Sequence, residues 1–260
     1  MAECKTVALA ARVRFPTAAL QSKQNLRFKR GGNMFRENIS EFIRHAKAKL
    51  YVPKNGGLNS YVGNMLQEIG VDRNTGEITR NESVIGKLEI ILARGSDIPQ
   101  RVMDSLGRGN LAYGLTGDDL FDEFRLRMQD SRLAFDLALL NTYDWFDPDA
   151  EYLRPALCLM NATGNFADMP PLSRVAINAE YVRTSLNYLG ERFKDRGMTY
   201  SAIEYEGDAE FTVSVNGPND ACVEIVYRGN KSPESAKSRS GLKNVEIVRF
   251  SDVTLIGVPR

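Results

Sequence analysis

Apolar positions along this chain follow two rhythms that take turns. Residues 34–48 place Phe35, Ile39, Phe42, Ile43 and Ala46 on one helical face. "KLYVP" (49–53) is a short β-prone run, and "KNGGLNS" turns into a helix carrying Leu58, Val62, Met65 and Ile69 that stops at Gly70. Residues 71–86 are polar and turn-rich, and "KLEIILA" (87–93) has the continuous apolar character of a buried strand. A helix with Ile98, Val102 and Leu106 inward follows, then a strand at "NLAYGL" (110–115) and another helix opening at Gly117. Residues 141–155 form an irregular aromatic and acidic insert. After it come the strands "ALCLMNA" (156–162) and "RVAI", then a helix over about 180–196 with Val182, Leu186, Leu189 and Phe193 at helical spacing. "TYSAIEYE", "EFTVSV", "CVEIVY", "NVEIVRF" and "VTLIGV" complete the strands. Short strands alternating with helices predict parallel βαβ units and an α/β fold.

A length of 260 residues with 43% apolar and 26% charged content suffices for one large domain or two lobes. The net charge of +1 hides an asymmetry: residues 1–33 carry +6 and the remainder −5. Near-neutrality argues against bulk electrostatic binding of nucleic acid, to which only the basic arm points. Cys4, Cys158 and Cys222 are odd in number and widely spaced, which fits a reducing compartment rather than a disulfide frame or zinc site. His45 is the single histidine and sits in a polar helical segment, so a His-based triad or metal centre has no support. No apolar run approaches the roughly 18 residues that span a bilayer. "VALAARV" is broken by Arg12, against a secretory signal, although the Arg-rich, acid-poor first 30 residues share features with an organellar presequence. Met34 is an alternative start. The expectation is a soluble, cytoplasmic protein.

The stretch "DACVEIVYRGNKSPESAKSRSGL" (220–242) carries the most chemistry. A β-prone run meets Gly229, and Ser232-Pro233-Glu234 reads as a helix start with Ser as N-cap and Pro at the first helical position. A glycine turn feeding a helix N-terminus suits an anion, and Arg228 and Lys231 add two cations. Residue chemistry alone leaves a phosphate cradle and a solvated loop both open.

The string "IILARGSDIPQRVMDSLGRGNLAYGLTGDDLFDEF" (90–124) resembles the catalytic region of ATP phosphoribosyltransferase, which typically shows an Arg-x-x-Asp-Ile-Pro segment followed by a helix and an LGITG-like strand and turn. Arg94, Asp97, Ile98, Pro99, Gly114, Thr116, Gly117 and Asp118 fit that pattern. "LYVPKNGGLNSYVGNMLQEIGVD" is similar to the family's opening LPKGRL strand and helix, "RVAI" to its RIAT strand, and 207–248 to its closing strand, loop and strand. The likeness spans roughly residues 49–257.

The resemblance implies an α/β fold of two lobes like type II periplasmic binding proteins, with mostly parallel mixed sheets and flanking helices. Residues 1–48 would be a basic extension and helix, 49–155 with 245–260 lobe I, and 156–244 lobe II. It implies transfer of the phosphoribosyl group from phosphoribosyl pyrophosphate to N1 of ATP with pyrophosphate release, the first step of histidine biosynthesis. Adenine N1 needs little help from a base, so no dedicated catalytic residue is expected; positioning, charge neutralisation and Mg²⁺ on the leaving group are. Asp220 and Glu224 match the two acids that would face the ribose hydroxyls or the metal. Arg228, Gly229, Asn230, Lys231 and Ser232 match the phosphate loop, and Lys54, Arg94, Gly117 and Asp118 stand on the ATP side. The chain looks like the short form, which works with a separate regulatory subunit, and a homodimer or larger assembly is expected. Substrate positions depart from the pattern: Gly56-Gly57 replaces Gly-Arg, "RGNKS" keeps only the glycine of Thr-Gly-x-Thr-Leu, and "RVAINAE" lacks the Thr, Tyr and Pro of RIATSYP. These departures keep two alternatives in view, a non-catalytic ligand-binding or regulatory relative and transfer to another acceptor.

Overall fold

The computed structural model describes residues 48–54, 56–68, 70–80, 82–130, 137–147, 150, 152–162, 165–166, 169, 172–194, 199–206, 209–213, 219–227, 242 and 244–258. The chain divides into Met1–Arg30 and Gly31–Arg260, and all described residues belong to the second unit. The expected helix over 34–48 lies outside the described residues except for Ala48, and the phosphate-loop residues Arg228, Gly229, Asn230, Lys231 and Ser232 lie outside them altogether.

Two five-stranded mixed sheets carry the fold. The first contains β1 (Lys49–Pro53), β4 (Glu89–Ala93), β5 (Ala112–Gly117), β6 (Ala138–Tyr143) and β12 (Val253–Gly257), in the order β4-β1-β5-β12-β6. β1 lies parallel to both β4 and β5, and β12 antiparallel to β5 and β6. The second contains β7 (Ala156–Asn161), β8 (Leu172–Asn178), β9 (Thr199–Tyr205), β10 (Ala221–Val226) and β11 (Asn244–Phe250), in the order β11-β7-β10-β8-β9. Here β8 is parallel to β9 and β10, and β7 antiparallel to β10 and β11.

Helix α1 (Gly56–Glu68) follows β1, α2 (Ile98–Gly107) follows β4 after a 3₁₀ turn, α3 (Asp118–Asp130) follows β5, and α4 (Val182–Phe193) follows β8. Each buries the apolar face that its sequence spacing dictates. Val62, Met65 and Leu66 of α1 pack on Leu50, Val52, Leu115 and Leu255. Ile98 and Val102 of α2 pack on Tyr51, Ala93 and Ala112. Val182, Leu189 and Phe193 of α4 pack on Leu157, Leu159, Val175, Ile177 and Val223. Side chains of this size contribute about 1.5–3 kcal/mol each when fully buried, which outweighs the weak propensity differences among the elements.

Several expectations are corrected. The run 87–93 divides at Leu88, and β4 is an edge strand with Leu92 55% exposed, because β1 is its single neighbour. The polar stretch 71–86 holds a hairpin of β2 (Glu77–Arg80) and β3 (Ser83–Lys87). Asp72 nucleates its approach by accepting from the backbone N–H of Asn74 (2.7 Å) and Thr75 (2.9 Å), and Ile78 anchors it in the core. "EFTVSV" is no strand over its described residues: Ala209–Thr212 is a 3₁₀ turn, whose Ala209 N–H goes to the Glu224 carboxylate and whose Thr212 hydroxyl caps Ala209 O. β5 runs on through Gly117, so α3 opens at Asp118. The helix expected from 180 starts at Val182, because Asn178 Oδ1 accepts from Glu180 N–H (2.8 Å) and caps a 3₁₀ turn over 179–181. Residues 245–250, expected with the first lobe, belong to β11 and pair with β7; β12 alone returns to the first sheet.

Candidate functional site

The chain crosses between the sheets twice, at 144–155 and at 251–252, and the two crossings are tied together. Ser251 N–H donates to Pro155 O (2.9 Å), and Asp252 accepts from Trp145 N–H and from the Arg154 guanidinium. Asp118 and Asp252 exchange bonds, Asp118 N–H to Asp252 O (2.8 Å) and Asp252 N–H to Asp118 Oδ1 (2.9 Å). Across this junction Ser96, after β4, meets Glu180, after β8, and Tyr227, after β10, lies against Gly57, after β1. A cleft outside the carboxyl ends of strands is where α/β folds place ligands.

From the first sheet, Lys54 follows β1 and Arg94 follows β4. Lys54 N–H donates to Ala93 O (2.8 Å), which sets the two residues side by side. Both are exposed and form no ion pair among the described residues. Gly117 ends β5 where a Cβ would meet the Asp119 carboxylate and lie 3.1 Å from Ser251 Oγ. Its glycine answers to internal packing. Asp118, expected on the ATP side, is committed to the junction, with Arg249 also at 3.0 Å. Burial holds its carboxyl above the usual range, and Arg249 offsets part of that.

From the second sheet, Asn178 ends β8 and donates to both oxygens of Glu224, at 2.9 and 3.1 Å. Glu224 is 1% exposed and also accepts from Ala209 N–H (3.0 Å) and Ile225 N–H (2.9 Å). Its carboxylate therefore holds the 3₁₀ turn and β8 together. Asp220 is elsewhere. It accepts from Arg174 N–H (2.7 Å) at the amino end of β8, whereas Glu224 faces the carboxyl end, about 13 Å along an extended chain. The two acids expected to share a metal are thus separated, and among the described residues no group of three or more His, Cys, Asp or Glu side chains is disposed to hold one. A resident magnesium ion on this pair does not fit.

Contacts that sequence reading did not find link the two sides. Ser96 Oγ donates to Glu180 Oε1 (2.6 Å), and Arg127 donates to Ala179 O (2.6 Å). Glu123 of α3 reaches the start of α4, where its carboxylate accepts from Arg183 N–H (2.9 Å), Thr184 N–H (2.8 Å) and Thr184 Oγ1 (3.0 Å). It thus takes the place at a helix N-terminus that an anionic ligand would prefer. The sequence signal was available only as an acid on α3 four residues before Arg127, with which it also pairs (3.1 Å).

Asp119, fully enclosed between the sheets, accepts from Ser251 Oγ (2.7 Å) and Leu120 N–H (2.8 Å). Burial, reinforced by Asp118, raises its pKa to about 6. The Tyr181 hydroxyl is likewise pushed up, by burial first and then by Asp119, Glu180 and Glu224. At the opposite side of the junction Tyr227, directly after β10, lies against Gly57 of α1 and donates to Asp147, with the Trp145 ring 5.4 Å away and Tyr61 beyond it. Within 141–155, expected to be irregular, residues 141–143 belong to β6; Tyr143 and Trp145 pack in the first-sheet core, while Phe146 is 50% exposed.

No family model matches the chain, and no curated protein sequence matches it. Solved structures do. The ATP phosphoribosyl transferase (HisG:HisZ) complex from Thermotoga maritima superposes with a TM-score of 0.51 at 19% identity, covering 82% of this chain and 88% of that one. The periplasmic sulfonate-binding protein SsuA of a putative sulfonate transporter from Methylobacillus flagellatus reaches 0.49 at 10% identity, over 82% and 61%. A phosphate-binding protein of a phosphate transporter from Streptococcus pneumoniae reaches 0.40 at 11%, over 81% and 88%. The two-sheet α/β architecture is therefore similar in fold to that transferase complex.

Proposed function

We propose that this chain binds magnesium-complexed phosphoribosyl pyrophosphate in the cleft between its sheets and transfers the phosphoribosyl group to a nitrogen nucleophile. An acceptor lone pair forms the new N–C bond at the anomeric carbon, and the C–O bond to pyrophosphate breaks with its electron pair on the leaving group. The observation that carries this reading is the pair of exposed, adjacent cations Lys54 and Arg94 at the carboxyl ends of β1 and β4, on a fold shared with a phosphoribosyltransferase. Two cations without an ion-pair partner among the described residues suit a highly phosphorylated substrate, and this chemistry asks for positioning and charge more than for a general base. The resemblance in sequence adds ATP N1 as acceptor, entry into histidine biosynthesis, a homodimer or larger assembly, and a separate regulatory subunit. The Thermotoga neighbour is itself a complex of two kinds of chain. A cytoplasmic setting accords with the buried thiols Cys158 and Cys222.

A second reading, binding without transfer, is favoured by Glu224, whose two oxygens are both engaged by the protein rather than offered to ribose. Titration calorimetry with magnesium phosphoribosyl pyrophosphate, on wild type and a Lys54→Ala/Arg94→Ala variant, tests the first reading. Micromolar binding that weakens at least tenfold in the variant, with pyrophosphate released when acceptors are added, supports transfer. Binding without release, with the regulatory subunit supplied, makes the second reading correct. Absence of binding under the same conditions removes both.

A further inference from the structure

We infer that Glu180 is a catalytic residue of the transfer, the carboxylate that accepts from the amino group of the acceptor base while the neighbouring ring nitrogen attacks. The inference rests on the transfer reading for its reaction and on geometry alone for the place of the carboxylate.

Glu180 stands two residues beyond the end of β8, and different segments hold its two parts. Its N–H donates to Asn178 Oδ1 (2.8 Å), and the next residue, Tyr181, is 5% exposed in the core of the second sheet. Its side chain is aimed from the other sheet, where Ser96 Oγ donates to Oε1 at 2.6 Å. Ser96 belongs to the turn that Arg94 opens after β4. Thr116 Oγ1 donates to Gly95 O (2.8 Å) and Asp97 N–H to Arg94 O (3.0 Å), so that turn is itself fixed. Oε2 of Glu180 accepts from none of the described residues, and the side chain remains half-buried. Neither Arg94 nor Lys54 forms an ion pair with it. A preset carboxylate therefore stands at the Arg94 turn with one oxygen engaged and its charge not neutralised by either cation.

The two signs of charge divide the work. Lys54 and Arg94 suit phosphates, whereas a carboxylate repels them and needs a positive partner elsewhere in the reaction. Adenine supplies one. As the N1 lone pair forms the bond to the anomeric carbon, the C–O pair leaves with pyrophosphate, and positive charge spreads from N1 onto the adjoining amino nitrogen. A fixed carboxylate accepting an N–H from that amino group binds the charged transition state more tightly than the neutral acceptor, which is the condition for acceleration. No proton moves in the step. The acceptor class is a heterocycle whose ring nitrogen adjoins an amino-bearing carbon. Glu180 stands where the RIATSYP pattern has its proline, so the device belongs to this chain.

The test measures pyrophosphate release with ATP and magnesium phosphoribosyl pyrophosphate for wild type, Glu180→Gln and Glu180→Ala. The Gln variant keeps an acceptor for Ser96 and removes the charge. Both variants are expected to lose about tenfold or more in kcat, with the KM for phosphoribosyl pyrophosphate within about twofold of wild type. A Gln variant as active as wild type overturns the proposal and leaves the Ser96 bond as a latch between the sheets. Titration calorimetry reads the charge without any reaction, using 1-methyladenosine, which at neutral pH carries the positive charge of an N1-substituted adenine, against neutral adenosine. Wild type is expected to prefer 1-methyladenosine by about fivefold or more and the Gln variant to bind both alike. Absence of that preference in wild type, including where neither compound binds, overturns the proposal. Absence of pyrophosphate release by wild type would count against the transfer reading, while the 1-methyladenosine comparison would still decide the role of the carboxylate.

Discussion

At the scale of single residues, the buried acid at 119 makes stability depend on pH in an unusual direction. Its carboxyl titrates at about 6 in the fold against an ordinary 3.8, so the folded protein keeps a proton that the unfolded chain gives up. Stability is full below about pH 4 and declines as pH rises through 6, by about 3 kcal/mol at 1.36 per unit. Urea unfolding between pH 4 and 8 should show this decline, and Asp119→Asn, which keeps an acceptor for Ser251, should flatten it. A wild-type profile that rises across pH 5–7 would contradict the assignment. At residue 57, Gly57→Ala is expected to cost about 1–3 kcal/mol by overpacking against Tyr227, and little in a Tyr227→Ala background. Chemical denaturation of the four proteins of that cycle reads the coupling directly.

At the scale of elements, the start of α4 depends on a residue from another helix. Glu123→Ala removes the carboxylate to which the part-buried N–H groups of Arg183 and Thr184 donate, with an expected cost of about 1–2 kcal/mol. Hydrogen exchange should accelerate at those amides first, and unchanged protection there would mean that water replaces the carboxylate at no cost. The same scale shows what the sequence made legible. β1, β7 and β12 are mostly apolar runs buried along nearly their whole length, β10 is such a run interrupted by Glu224, and the helices on 98–107 and 182–193 declare themselves by apolar spacing. β2 and β3 were hidden because most of their side chains face water, with Val84 59% exposed and Ile78 as the single deep anchor. "EFTVSV" alternates like a strand, yet Glu224 captures the amide of Ala209, fifteen residues before it and directly ahead of the stretch, and holds its start in a 3₁₀ turn. Lys54 and Arg94 were singled out by the resemblance of the strings around them, and both follow the ends of strands. The separation of Asp220 from Glu224 follows from their four-residue spacing along an extended run, but their partners, Arg174 N–H for one and Asn178 for the other, were not readable.

At the scale of the whole molecule, the sheets share their bonds to a degree that favours unfolding as one unit. Arg249 of β11 pairs with Asp118 (3.0 Å) and Asp122 (2.9 Å) of α3, Leu120 of α3 lies in the core beneath the second sheet, and Ser96 meets Glu180. Trp145, the single tryptophan, reports on the first-sheet core, whereas far-UV circular dichroism averages over both sheets. The two transitions in guanidinium are expected to coincide, and a Trp145 transition clearly ahead of the helical signal would show that the sheets part first.

The bond from Ser251 N–H to Pro155 O has a further meaning for how such a chain tolerates change. Seen from the first sheet, residues 156–250 are a closed loop whose two ends already touch, and the entropy of closing a flexible loop grows only with the logarithm of its length, about 0.6 kcal/mol per doubling. Insertions and deletions on the far side of that bond are therefore nearly invisible to the framework that holds Lys54 and Arg94.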